Sequence, residues 1–153
     1  MRNLRMNGMN SKGQALVEMA IIIPLLLFLV LGILEFGRFM YTKNSLTNAA
    51  RAGARAAVVT YNISNGSEKV NNSCTYSSGT SNDAVFSATC KSLTSGLRDK
   101  NIYMTLTVPS TPPTSGEMIN LKVQWNSYTT AVPKFFPQLN TIPMYGETAM
   151  RYE

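Results

Sequence analysis

"GQALVEMAIIIPLLLFLVLGILEFGR", residues 13–38, decides how the rest of the chain is read. From Met19 to Leu34 it holds no charged residue and no Ser, Thr, Asn or Gln. The apolar stretch from Ala15 to Leu34 has 20 residues. At about 1.5 Å per residue a helix of that length spans about 30 Å, the hydrocarbon thickness of a bilayer. The alternative is a buried core helix, but a helix apolar on every side needs a large domain to cover it, and 153 residues offer none. One carboxylate, Glu18, lies near the N-terminal end of the stretch. At the bilayer centre an acid costs roughly 2.5–3.5 kcal/mol on translocon scales, and less near the interface. Pro24 removes a backbone donor inside the run and is expected to kink or loosen the helix there.

On the N-terminal side, residues 1–13 (MRNLRMNGMNSKG) carry Arg2, Arg5 and Lys12 and no acid. They read as a short basic leader, a cytoplasmic flank of the span. The whole chain has a formal charge of +6; without these 13 residues, 11 basic and 8 acidic residues remain, or +3. That balance makes no case for nucleic acid as a partner. Arg38, Lys43, Arg51 and Arg55 follow the span closely, so the count of basic residues does not fix the orientation by itself.

On the C-terminal side, "EFGRFMYTKNSLTNAARAGARAAVV" has no proline and many good helix formers. Glu35 and Arg38 are three apart and can pair on one helix face. Phe36, Phe39, Met40, Lys43, Leu46, Ala50, Ala54 and Ala57 keep a broad 3.6-residue stripe, interrupted by Lys43. One helix is therefore expected from about Gln14 to about Val59, its first half in the membrane and its second half beyond it. Small residues from Ala49 to Ala57 allow a helix or sheet to approach closely.

Beyond Thr60 the chain is rich in Ser, Thr, Asn and Gly, with turn signals at Asn65-Gly66 and Ser78-Gly79. The Asn-x-Ser triplets at Asn62, Asn65 and Asn71 read as polar surface loop. "NDAVFSATCKSLTSGL" reads as a short helix capped by Asn82 or Asp83 and ending near Gly96. "NIYMTLTV" and "MINLKVQWN" alternate apolar and polar residues and read as an antiparallel pair joined by the proline-rich "PSTPPTSGE". "YGETAMRYE" is a candidate third strand. Phe135 and Phe136 are expected to pack against the sheet, with an exposed contact patch as the alternative. The fold class is α+β: a long N-terminal helix, then a small head with a short helix and a sheet of about three strands.

The two cysteines, Cys74 and Cys90, form a disulfide if the head lies outside the cytoplasm; two unpaired thiols are the alternative. There is no histidine, so the commonest general base and metal ligand is missing. Glu68, Asp83, Asp99, Glu117, Glu147 and Glu153 are scattered singly. No catalytic residue, metal site or cofactor is expected.

The string "KGQALVEMAIIIPLLLFLVLGILEFGRFMYTKNSLTNAARAGARAA" resembles the TadE-like pseudopilins of bacterial tight-adherence (Tad, or Flp) pilus systems. The resemblance rests on Gly13, Val17-Glu18 with Ala20, Pro24, Glu35 with Gly37-Arg38, and Asn48-Ala49-Ala50-Arg51-Ala52 through Arg55-Ala56. It covers about 45 residues, and no single piece is specific. It implies a type IV pilin-like fold and a membrane-embedded prepilin peptidase that cuts between Gly13 and Gln14. Glu18 would then stand at the fifth position of a 140-residue mature chain and face the terminal amine of a neighbouring subunit. Met19 departs from the pattern: TadE-like members carry Phe after the glutamate, and the much shorter major pilins Tyr. The implied partners are other pilin and pseudopilin subunits, the peptidase, the inner-membrane assembly platform and the lipid bilayer. The implied place is the bacterial inner membrane, single-pass, with the N-terminus cytoplasmic, the head periplasmic and incorporation into a pilus possible.

Three readings follow. A pseudopilin or minor pilin subunit comprises a leader (1–13), a long helix (14–59) and an extracytoplasmic head (60–153). A single-pass anchored ligand-binding module keeps its N-terminus intact. A secreted domain with a long signal peptide begins near Gly53.

Overall fold

The computed structural model of the chain describes residues 11–60, 62–76, 82–129 and 142–153. The expected Phe135–Phe136 packing, the Ser78-Gly79 turn and leader residues 1–10 lie outside the described residues. The elements run α1 (Ser11–Val59), β1 (Gly66–Lys69), α2 (Asp83–Ser92), α3 (Ser95–Arg98), β2 (Ile102–Thr107), β3 (Met118–Tyr128) and β4 (Ile142–Arg151). The chain divides into two compact units, Met1–Arg38 and Phe39–Glu153. The architecture is α+β, as the sequence implied.

In the first unit, α1 is a continuous helix that includes Pro24. Every residue from Gly13 to Leu34 is exposed. In water such a surface would be untenable; it is the surface a lipid-facing helix needs.

The second unit is built on an antiparallel meander, β1-β2-β3-β4. Strict alternation places Ile102, Met104 and Leu106 of β2 on one face with Ile119, Leu121, Val123 and Trp125 of β3, all buried. Their registers match: Met104 lies opposite Val123, and Leu106 opposite Leu121. From α1 and α2, Leu46, Ala49, Ala50, Ala54, Ala57, Val85, Phe86 and Cys90 complete this core. Phe39, Tyr128 and Trp125 stack edge-on, with centroids 6.1 and 5.2 Å apart.

The sheet has four strands rather than about three. The extra one, β1, comes from the polar Gly66–Lys69, where no apolar alternation marks it; it forms because Glu68 and its neighbours pair with Leu106 through Tyr103. The helical stripe also differs from its expected form. Phe36 and Met40 are exposed, while Thr42, Ala49 and Gly53 are buried. Size decides the packing face here. A Cβ at Gly146 of β4 would sit 2.5 Å from the Leu46 carbonyl oxygen and the Thr47 nitrogen of α1. At Gly53 a Cβ would collide with the side chains of Thr89 on α2 and Leu121 on β3.

The expected short helix is two. It breaks at Leu93 and Thr94, both extended. Leu93 turns into the core, and the Thr94 hydroxyl pairs with that of Ser45, 2.7 Å away. Asn82 takes the N-cap position of α2, but its side chain makes no cap bond. It instead accepts from Ser64 N–H and donates to the Ser64 carbonyl, tying the lead-in of β1 to α2.

The proline-rich link is pinned by Glu117. Its Oε2 accepts from the Ser110 hydroxyl at 2.5 Å and from Thr114 N–H at 2.9 Å. These bonds, the Ser110 hydroxyl foremost, hold the carboxyl below the ordinary glutamate value.

Gly146→Val is expected to destabilise the head by about 3 kcal/mol, because the clash is with backbone that cannot rotate away. Ala149→Val on the same strand, exposed, should stay within about 0.5 kcal/mol; thermal melts in detergent compare them. Because the Glu117 pKa is lowered in the fold, its stabilising bonds persist above the ordinary glutamate range and are lost as pH falls through the lowered value. An NMR titration of the Thr114 amide should therefore report a midpoint below that of an unperturbed glutamate, and Glu117→Gln should abolish the step.

Candidate functional site

Gly13 and Gln14 lie within the first turn of α1, which begins at Ser11. Both are exposed, and a Cβ at Gly13 would meet nothing within 4 Å. Gln14 and Glu18 are four residues apart in the helix, which puts them on one face a turn apart. Glu18 is exposed among exposed apolar neighbours: Leu16, Val17, Met19, Ile21 and Ile22. Pro24 follows six residues later within the same unbroken helix. At the far end of the apolar run, Arg38 Nη1 lies 4.0 Å from Glu35 Oε2. This i,i+3 pair closes the apolar stretch with charges that offset each other.

These residues form a linear constellation along one helix, exposed from Gly13 to Leu34. It offers an exposed backbone segment, a single carboxylate and an apolar surface for lipid or for another helix. Among the described residues, no three of His, Cys, Asp and Glu come together as a metal site.

Cys74 and Cys90 are bonded, with Cα atoms 5.4 Å apart. The bridge ties the loop after β1 to the buried face of α2. Beside it, the Tyr76 hydroxyl accepts from Asn71 N–H and donates to the Lys69 carbonyl. Burial, helped by the nearby Glu68 charge, pushes this phenol above its ordinary value, so it stays protonated and keeps donating.

The apolar span, the lone acid and the Glu35–Arg38 end-pair lead directly into the small-residue face that packs against the sheet. Residues 13–55 match the family model of TadE-like proteins. The match begins at Gly13 and runs through Ala54, inside the core of the head. No curated protein and no solved structure matches the chain. The match and the long apolar helix together point to a single-pass, membrane-anchored protein related to the Tad pilus.

Sequence reading missed one group of side chains on the opposite face of the sheet: Lys43, Lys122 and Tyr145. In the sequence Lys43 interrupts the helical stripe, with nothing to say where its ammonium goes. The ammonium reaches the Tyr145 carbonyl on β4 and sits 4.5 Å from the Tyr145 ring centroid. The period-two pattern of β3 already placed Lys122 on the outer face; no local signal announced that Lys43 would join it.

Replacing both cysteines by alanine is expected to cost roughly 3 kcal/mol in the chain-entropy model for a loop of 16 residues. Melting of the oxidised protein, with and without reductant, should show the same loss; equal melting points would show that the bridge contributes nothing to stability.

Proposed function

We propose that the protein is a pseudopilin or minor pilin subunit that takes part in assembly or function of a Tad-type adhesive pilus. Residues 1–13 serve as leader, 14–59 as the long helix and 60–153 as the remainder of the head. A prepilin peptidase cuts between Gly13 and Gln14. The N-terminus starts on the cytoplasmic side of the inner membrane, and the head lies in the periplasm, where a disulfide is at home. The subunit acts by packing with other pilin-like subunits and with the assembly platform, with no catalysis of its own.

One observation carries this reading: an exposed apolar helix with a single acid placed one turn after Gln14, inside the segment that matches TadE-like proteins. Cutting after Gly13 creates an α-amine at Gln14. An opposite charge within reach of Glu18 offsets the cost of holding a carboxylate in lipid. In a filament the amine of a neighbouring subunit supplies that charge, so Glu18 selects register and partner more than it adds net stability. Pro24 shapes the helix just beyond it.

N-terminal sequencing of the protein from cells with and without an active prepilin peptidase tests the proposal. Gln14 is expected as the first residue in the former and an uncut leader in the latter. An intact N-terminus in both would favour the anchored module, and a start near Gly53 a secreted domain. In the same cells, Glu18→Val should still be cut but should fail to enter assemblies; normal incorporation would sink the role given to Glu18.

A further inference from the structure

The outer face of the sheet carries chemistry that packing does not require. Register brings Lys69, Tyr103, Gln124 and Tyr145 into one row across all four strands. Tyr103 and Tyr145 are 40% and 47% exposed. Strands are about 4.8 Å apart, so these two positions, separated by β3, lie roughly 10 Å from each other. Between them the Gln124 amide donates to the Asn126 side-chain oxygen, which fixes its orientation and leaves its own oxygen as an acceptor.

Two ammonium groups converge on one end of the row. Lys43 Nζ lies 4.5 Å and Lys122 Nζ 4.8 Å from the centroid of the same Tyr145 ring. Lys43 is held there by the Tyr145 carbonyl. Glu147 is the cross-strand neighbour of Lys122, yet among the described residues neither lysine has a carboxylate within salt-bridge distance. Two like charges gathered at one ring repel each other, and an anion relieves that repulsion. Lys69, exposed, adds a third cation at the far end of the row, beyond the half-buried Lys43 and Lys122.

We propose that this face binds an acidic polysaccharide. The C–H face of a pyranose ring lies across Tyr103, a uronate carboxylate is taken by Lys43 and Lys122 beside Tyr145, and hydroxyls pair with Gln124. The cations sit at two separate points along the row, which suits a polymer with widely spaced carboxylates. Single-stranded nucleic acid needs aromatic faces open for base stacking and a continuous cationic track. Here the Tyr145 ring is already engaged by lysines, and the chain without its first 13 residues is only +3.

Calorimetric titration of the full chain in detergent with an oligogalacturonate tests this, with an uncharged dextran oligomer and a thymidine oligonucleotide as comparison probes. Oligogalacturonate is expected to bind, and to bind more weakly as salt is raised. Lys122→Gln, which keeps the packing stem, and Tyr103→Ala should each weaken binding about tenfold, the loss of one charge-assisted contact or one ring platform. Both should melt as the wild type does. Lack of oligogalacturonate binding, equal binding of dextran, tighter binding of the oligonucleotide, or unaltered binding by both variants would each overturn the proposal. The result does not depend on whether the leader is cut.

Discussion

The head depends on how closely α1 approaches the sheet. At Gly146 the contact is strand against helix backbone, with no room for a side chain. Gly53 makes the same allowance where α1 meets α2 and β3. Helix backbone that close to a sheet restricts the helix face to small residues, which is why Ala49, Ala50, Ala54 and Ala57 line it. Alanines bury little apolar area, so the hydrophobic contribution comes mainly from the other side: Ile102, Met104, Leu106, Ile119, Leu121, Val123 and Trp125. The close approach also sets the reach of Lys43. From a helix lying against β4, its side chain extends around the open strand edge to the Tyr145 carbonyl, and an edge covered by a lysine is a poor template for another strand.

What the sequence revealed, and what it hid, follow from the same physics. β2 and β3 were legible because half-buried strands alternate with period two, and both do so without interruption. β1 was not, because Gly-Ser-Glu-Lys contributes mostly backbone bonds to its neighbour and has no apolar alternation to read. The helix ends were legible within a few residues, and its packing face in part: Leu46, Ala50, Ala54 and Ala57 are buried as the stripe implied, but its first positions are not. Phe36 and Met40 are large and apolar, yet exposed; Thr42 and Gly53 are neither, yet buried. Hydropathy finds the face that seeks an apolar medium, and here two faces of one helix satisfy two different demands. The break at Leu93–Thr94 was hidden for a related reason: no Gly or Pro causes it, only the pull of a buried Leu93 and the contact between Thr94 and Ser45.

The TadE-like match stops at residue 55, while β1, α2, the disulfide and the whole sheet lie beyond it. The matched residues therefore include the lipid-type surface and the small-residue face, the two features of α1 that follow from its medium and its neighbours. The unmatched residues include the outer sheet face, whose side chains answer to neither constraint. An outward-facing row such as Lys69, Tyr103, Gln124 and Tyr145 can change without disturbing the core, because each of its residues alternates with one that faces inward.

Glu18 is where the energetic argument for the proposed function is tightest. In the uncut chain the Gln14 nitrogen is an uncharged amide, and an acid at depth costs up to roughly 3 kcal/mol. Cleavage after Gly13 would make Gln14 the terminus, one turn away. At about 6 Å and an effective dielectric of about 20, an amine and a carboxylate attract by roughly 3 kcal/mol. The new helix start also brings its positive dipole end nearer to the carboxylate, although that effect fades beyond the first turn. Processing would thus turn a lone charge into a pair of comparable magnitude within its own chain. A neighbouring amine must compete with that internal pair, so exchange between partners costs little in energy and is decided by geometry. That is the property expected of an element that sets register in an assembly and contributes little to holding it together.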